Sequence, residues 1–251
     1  KCEALNYIKF PKNVEVLKKS ICKNLGNLEK VILPDKLKKL EEEVFYKTKI
    51  KTIELPPTLE YIGCHSFLEC EYLTEIVLPD SVTELEKFTF NKCKNLTSIR
   101  LSDNIKVIKL NTFEECENLT SINLPLELTK IEKNAFLNCK SLETIIFPDK
   151  TTDFTIQLNA FFGCTKLQNV SINSNAKINA SPPNQDTINL FLNKDCKVNY
   201  VSVEGIKRKQ FKKKKSKKRI HKLKYKKMNP KSKHKKIIHK SKKSKNQKLK
   251  D

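Results

Sequence analysis

Tryptophan is absent from this chain of 251 residues, methionine occurs once and glycine only four times. So little glycine argues against folds built on Gly-rich phosphate-binding turns, and no such loop, His-Glu-x-x-His motif or nucleophile elbow occurs. No run approaches the roughly 20 apolar residues of a membrane-spanning helix. Nine cysteines are present, but none form a Cys-x-x-Cys pair, so zinc-type spacing is missing. Acidic residues are also scarce in one region. Residues 207–251 hold 24 Lys and Arg against a single acid, Asp251. Of 51 basic and 28 acidic residues in the whole chain, the first 206 therefore carry 27 of each, and the net charge of +23 belongs to the last 45. A neutral body and a cationic tail call for separate explanations.

What the body does have is a period. Leu96-Thr97-Ser98-Ile99-Arg100-Leu101 recurs as Leu119-Thr120-Ser121-Ile122-Asn123-Leu124 and as Leu73-Thr74-Glu75-Ile76-Val77-Leu78. The leading position falls at Leu5, Leu28, Ile50, Leu73, Leu96, Leu119, Leu142 and Leu167, at steps of 23, 22, 23, 23, 23, 23 and 25. A Phe column keeps the same step at Phe45, Phe67, Phe90, Phe113, Phe136 and Phe161. A Cys column sits three residues before the Leu, at Cys2, Cys70, Cys93, Cys116, Cys139 and Cys164. Three columns sharing one period define a solenoid.

Within each unit, Ile99 and Leu101 are two apart, which is strand spacing, so they face inward while Ser98 and Arg100 face outward. The proline that follows, as at Pro79 or Pro125, ends the strand because it has no N–H for the ladder. A second apolar pair such as Leu128 and Ile131 comes next, then the turn carrying Phe and Cys. About 23 residues suit a strand plus a short turn or 3₁₀ segment. The fold class expected is a leucine-rich repeat solenoid of stacked parallel β-strands over 1–172. A capping element and linker follow over 173–206, then a disordered polybasic tail over 207–251. Cys22 stands in the Phe column of the first full unit, and Thr151-Thr152-Asp153 supplies a loop bulge at the 25-residue step.

The block from Cys116-Glu117-Asn118-Leu119 to Ala135-Phe136-Leu137-Asn138-Cys139 resembles the leucine-rich repeat of the BspA or Treponema type, and the resemblance extends over residues 2–172. It implies a solenoid of the kind found in adhesins and other binding proteins. The lysine-rich tail departs from that pattern.

Outward strand positions are where a ligand would meet the sheet. These are Lys30, Thr52, Glu54, Glu75, Val77, Ser98, Arg100, Ser121, Asn123, Thr144 and Ile146. The set is Thr/Ser-rich and weakly charged, which suits a protein partner better than nucleic acid. The column cysteines read as buried thiols filling an apolar slot in each coil, and Cys64 and Cys196 as surface thiols. His65, the one histidine of the body, has no partner at catalytic or metal-binding spacing and reads as a turn residue. No enzyme activity, small-molecule substrate, metal or cofactor is expected. The sequons at Asn95, Asn118 and Asn169 arise from the repeat itself.

In the tail, Lys212, Lys213, Lys214, Lys215, Lys217, Lys218 and Arg219 resemble a nuclear import signal, with a second cluster around Lys235 and Lys236. Twenty-two of the 24 cations are Lys, a flexible point charge that lacks the bidentate fork by which Arg reads guanine. Sequence-independent binding to nucleic acid follows, in a nuclear or cytoplasmic protein. The alternatives are anionic lipid at the inner face of the plasma membrane and a surface adhesin with paired cysteines.

Overall fold

The structure is a computed structural model and describes residues 4–148, 153–173, 177–181 and 197–201. Cys2, Cys196 and every residue of the tail clusters lie outside that set.

The coils stack through two parallel ladders. The first runs through β1 (Tyr7–Lys9), β3 (Lys30–Ile32), β6 (Glu75–Val77), β8 (Ser98–Arg100), β10 (Ser121–Asn123), β12 (Thr144–Ile146), β14 (Asn169–Asn173) and β16 (Lys197–Val201), with strand pairing in three segments, β1-β3, β6-β8 and β10-β12-β14-β16. In the coil between β3 and β6 the strand is reduced to a bridge from Thr52 to Glu75. Register follows the repeat: Ile76 pairs with Ile99, Ile122 with Ile145, and Ile145 with Val170.

The closing residue of the second apolar pair, as Ile131 after Leu128, lies in a ladder of its own. It runs through β2 (Val16–Leu17), β4 (Lys39–Leu40), β5 (Tyr61–Ile62), β7 (Glu84–Leu85), β9 (Val107–Ile108), β11 (Lys130–Ile131), β13 (Asp153–Gln157) and β15 (Lys177–Ser181), with strand pairing in two segments, β2-β4-β5-β7 and β9-β11-β13-β15. The inward residues of both ladders, with the Leu, Phe and Cys columns, form one continuous core.

Where the sequence allows a turn or a short 3₁₀ segment, the chain takes turns, and no 3₁₀ or α-helical residue occurs among the described residues. The carbonyls of Pro34, Pro56, Pro79 and Pro125 each accept from the N–H three residues on, as Leu59 to Pro56 (3.1 Å) and Val82 to Pro79 (3.0 Å).

The turn around each Phe holds a feature the sequence does not announce. Two residues four apart take the left-handed conformation in every coil from Ser20 and Asn24 to Asn159 and Gly163. They include Glu43, Lys47, His65, Glu69 and Phe88. For an L-residue this costs about 1–2 kcal/mol. Forward hydrogen bonds offset it: Glu43, Phe45 and Lys47 donate their N–H groups to the carbonyls of Cys64, Ser66 and Leu68 at 2.8–3.0 Å.

Two irregularities differ from the sequence reading. Asp153, assigned to the bulge, opens β13 instead; Thr151 and Thr152 lie outside the described residues. The register Ile131 to Ile156 shows that the extra residues are absorbed before β13. Parallel pairing also continues past Ile172, since β15 joins β13 and β16 joins β14.

The aromatic column is a stack. Phe67–Phe90, Phe90–Phe113, Phe113–Phe136 and Phe136–Phe161 have ring centroids 5.1–5.6 Å apart at interplanar angles of 5–14°. Phe45 meets Phe67 at 5.4 Å and 31°, and on its other side the column holds Cys22. Phe113→Ala removes a ring stacked on both sides and is expected to cost about 3–5 kcal/mol. Phe45→Ala removes a ring stacked on one side and costs less. Urea unfolding of the two variants measures the difference, and equal losses contradict a graded stack.

Candidate interaction face

The first ladder displays two outward columns along the solenoid. One runs Tyr7, Lys30, Thr52, Glu75, Ser98, Ser121, Thr144, Asn169. The other runs Lys9, Ile32, Glu54, Val77, Arg100, Asn123, Ile146, Ser171. Of the eleven positions expected from sequence, Lys30, Thr52, Glu54, Glu75, Val77, Ser98, Arg100, Ser121 and Asn123 are exposed. Thr144 and Ile146 flank the inward Ile145 on the same face and are half-buried. Tyr7, Lys9 and Ile32 extend the face at its N-terminal end and were missed. The alternation that starts from Leu5 carries the signal for them.

A third exposed column flanks these two, with Thr74, Thr97 and Thr120 at its centre. Thr97 donates its hydroxyl to the Thr74 carbonyl (3.0 Å) and Thr74 to that of Lys51 (3.3 Å). Their protons are used within the stack, so the column offers methyl groups and acceptor oxygens to a partner. Beside it, the Asn95 amide donates to the Glu71 carbonyl (2.8 Å) and the Asn118 amide to the Asn95 side-chain oxygen (3.2 Å). Of the eleven, Arg100 is the one drawn into an ion pair among the described residues. Its guanidinium holds Asp80 at 2.6 Å and the Leu78 carbonyl at 3.1 Å.

The other surfaces satisfy themselves. Lys18 meets Glu41, Lys38 meets Glu15 and Lys140 meets Glu117 at 2.8–3.0 Å, each across 23 residues, so basic and acidic positions alternate from coil to coil. Exposed pairs of this kind contribute at most about 1 kcal/mol each. On the second ladder Lys109 bridges Glu86 (2.6 Å) and Glu84 (3.2 Å), and Lys39 lies 4.5 Å over the Tyr61 ring.

Among the described residues the column cysteines, Cys70, Cys93, Cys116, Cys139 and Cys164, are buried and free, as the sequence implies. Their slot is not merely apolar, however. The thiols of Cys70, Cys93, Cys116, Cys139 and Cys164 point at the Phe45, Phe67, Phe90, Phe113 and Phe136 carbonyls of the preceding coil, at 2.9–3.1 Å. Thr48 replaces cysteine in its own coil and donates its hydroxyl to the Phe45 carbonyl (3.0 Å). Burial pushes the Cys70 thiol up to about 11 and Cys22 to about 12.

Cys64 is partly exposed, and its thiol is raised by burial and then by Glu86. His65 occupies a left-handed turn position, stacks on Phe88 at 5.0 Å, and has its pKa lowered chiefly by burial. Among the described residues no cluster of three or more His, Cys, Asp or Glu is placed to hold a metal ion. No helix there is long and apolar enough to cross a membrane.

Parallel coils of about 23 residues with a continuous Leu, Phe and Cys core define a leucine-rich repeat solenoid. The sequence matches the BspA type leucine rich repeat region in six copies, over residues 1–51, 38–168 and 154–223, and the chain belongs to that family. It is similar to a leucine rich repeat protein of T. pallidum, with 29% identity, a TM-score of 0.54, and coverage of 56% of this chain and 66% of that one. A leucine-rich repeat protein from Bacteroides ovatus shares 26% identity at a TM-score of 0.56, covering 80% of this chain and 57% of that one. One from Eubacterium ventriosum shares the fold at 20% identity and a TM-score of 0.58, covering 73% and 61%. The chain thus spans less than two thirds of the length of each. No curated protein matches.

In the folded protein Cys64 should react first with a maleimide among the described thiols, the column cysteines following only on unfolding. Rapid labelling of Cys93 or Cys116 contradicts the packing. Folding favours the neutral thiols, so their contribution is complete below about pH 8.5, where the unfolded chain is also protonated. It is lost as pH rises toward the folded-state values. The urea midpoint should fall between about pH 8.5 and about pH 11, and by less in a Cys93→Val, Cys116→Val variant.

Proposed function

We propose that this chain is a non-enzymatic interaction protein. Its first-ladder face binds a protein partner, and its lysine-rich segment 207–251 holds polyanions or directs import into the nucleus. One observation carries the first half. Elsewhere lysines and glutamates pair from coil to coil, as Lys18 with Glu41 and Lys140 with Glu117, whereas the central coils of the first-ladder face expose Thr, Ser and Asn. Among the described residues Arg100 is the one of the eleven expected positions in an ion pair. The hydroxyl and amide side chains of these central coils desolvate more readily than charges would and offer acceptors to a partner. The unpaired thiols support a reducing compartment.

Composition supports the second half. Twenty-four cations in 45 residues neutralise phosphates without reading bases. The same charge would hold anionic lipid, and the assay below separates the two.

Full-length protein carrying Ser98→Arg with Ser121→Glu should keep its unfolding midpoint and lose the proteins that the parent chain captures. Lys106→Glu, an exposed change away from that face, should retain them. Identical capture by all three sinks the face assignment. For the tail, the full chain should bind DNA of any sequence with log affinity falling against log salt by roughly 0.9 per phosphate neutralised, and removal of 207–251 should abolish this. Vesicle binding without DNA binding moves the tail to the membrane. Undiminished DNA binding by residues 1–206 overturns the tail's role.

A further inference from the structure

Each coil can close on the next along three sides: the first ladder, the second ladder and the turn. In the second ladder the same bonds recur from coil to coil. The N–H groups of Glu60 and Tyr61 share the Lys38 carbonyl (2.8 and 3.2 Å), and those of Thr83 and Glu84 share the Glu60 carbonyl (3.1 and 3.4 Å). Those of Thr129 and Lys130 share the Lys106 carbonyl (2.8 and 3.3 Å). The step between Thr83 and Lys106 lacks them. There β7 and β9 are not paired, and the N–H groups of Lys106, Val107 and Lys109 find no acceptor among the described residues. A cleft of about 320 Å³ opens at that step, with Thr83, Glu84 and Leu85 on one wall and Lys106, Val107 and Lys109 on the other.

The coil that follows this gap, residues 96–118, is open on the opposite ladder where it meets its successor. Here β8 and β10 are not paired, and the N–H groups of Leu101, Thr120 and Ser121 find no acceptor among the described residues. Their counterparts in the adjoining coils are bonded. Thr97 donates to Thr74 (2.9 Å), Glu143 to Thr120 (2.8 Å), Leu78 to Arg100 (2.8 Å) and Leu124 to Ile146 (3.0 Å). The first ladder also lapses before Thr52, but there the second ladder pairs on both sides, β4 with β5 and β5 with β7. The turn stays closed at both steps of the open coil, as Phe90 donates to Thr112 (2.9 Å) and Phe113 to Ala135 (2.8 Å).

A single tilt accounts for both gaps. With the turn as pivot, a coil that leans toward its predecessor on the first-ladder side leans toward its successor on the second-ladder side. It keeps β6 with β8 and β9 with β11, and gives up β7 with β9 and β8 with β10. We propose that residues 96–118 form a rocking coil with two tilts, of which the structure shows one. The opposite tilt exchanges these pairings ladder for ladder and leaves the turn and the ring stack in place. Ser102 stands where the adjoining coils have Pro79 and Pro125, so this coil lacks the ring that fixes the backbone between its two strands. Lys109 ties the open seam through its long side chain, meeting Glu86 (2.6 Å) and Glu84 (3.2 Å), and that flexible tie tolerates either tilt. Rocking needs no partner, but a partner seated across Ser98 and Ser121 selects one tilt.

Disulfide trapping in the full chain carrying Cys2→Ser, Cys64→Ser and Cys196→Ser tests this. Thr83→Cys with Lys106→Cys spans the open seam. Lys106→Cys with Thr129→Cys spans the closed step beyond it and serves as control, since a disulfide needs Cα atoms within about 7 Å. Both pairs should cross-link under mild oxidation. In the protein cross-linked between positions 83 and 106, amide exchange should slow about tenfold or more at Lys109 and Thr120, and quicken as much at Thr97 and Thr129. Cross-linking of the control pair alone overturns the proposal. So does slowing at Lys109 that leaves Thr97 and Thr129 protected, which describes a slack gap and not a rocking coil.

Discussion

The carbonyl of each column phenylalanine is where the packing and hydrogen bonding of this fold meet. The Phe67 carbonyl accepts the Cys70 N–H of its own coil (3.1 Å) and the Cys93 thiol of the next (3.1 Å). The same residue donates its N–H forward to Thr89, and its ring lies on the rings before and after. One residue per coil thus fixes the height, rotation and register of its neighbour. The Phe and Cys columns keep step because neither can move without breaking a contact of the other. Cysteine suits the slot because a thiol is small and apolar enough for the core while keeping a weak donor for that carbonyl.

That joint also accounts for the surface. Once coils are locked at one register, a residue finds its lateral partner one period away in sequence, which is how Lys38 meets Glu15 and Lys140 meets Glu117. The body can be neutral as a whole because it is neutral locally, coil against coil. The central coils of the first-ladder face take less part in this pairing, because Ser98, Ser121 and Asn123 put short polar side chains where other columns carry charges.

Much of this was legible in the residues. The Leu, Phe and Cys columns gave the coil, and the alternation in Leu-x-x-Ile-x-Leu placed Ser98, Arg100, Ser121 and Asn123 outward. The left-handed turn residues were not legible. Their usual signal is glycine or asparagine; Asn24, Asn111, Asn134, Asn138, Asn159 and Gly163 carry it, but Glu43, Lys47, His65, Glu69, Phe88 and Lys92 do not, and tertiary hydrogen bonds override their local preference. The second ladder was read as a mere apolar pair because a strand of two residues, such as Tyr61–Ile62, is too short to show alternation. The thiol hydrogen bonds need the height between coils, which no spacing along the chain reveals. Tyr7 and Lys9 were within reach of the same alternation one coil before the face was begun, and Ile32 in the same coil as Lys30.

Since each coil's core side chains contact only the coils before and after, and those side chains recur in kind, neighbouring coils are interchangeable parts. A gene encoding such a chain can gain or lose a stretch of one period by recombination between its own copies, and the joint closes over the seam. The outward columns are under no such requirement. Length and surface are therefore free to diverge quickly while the Phe and Cys columns stay fixed, and kinship among such chains is better traced along the core columns than across the outward face.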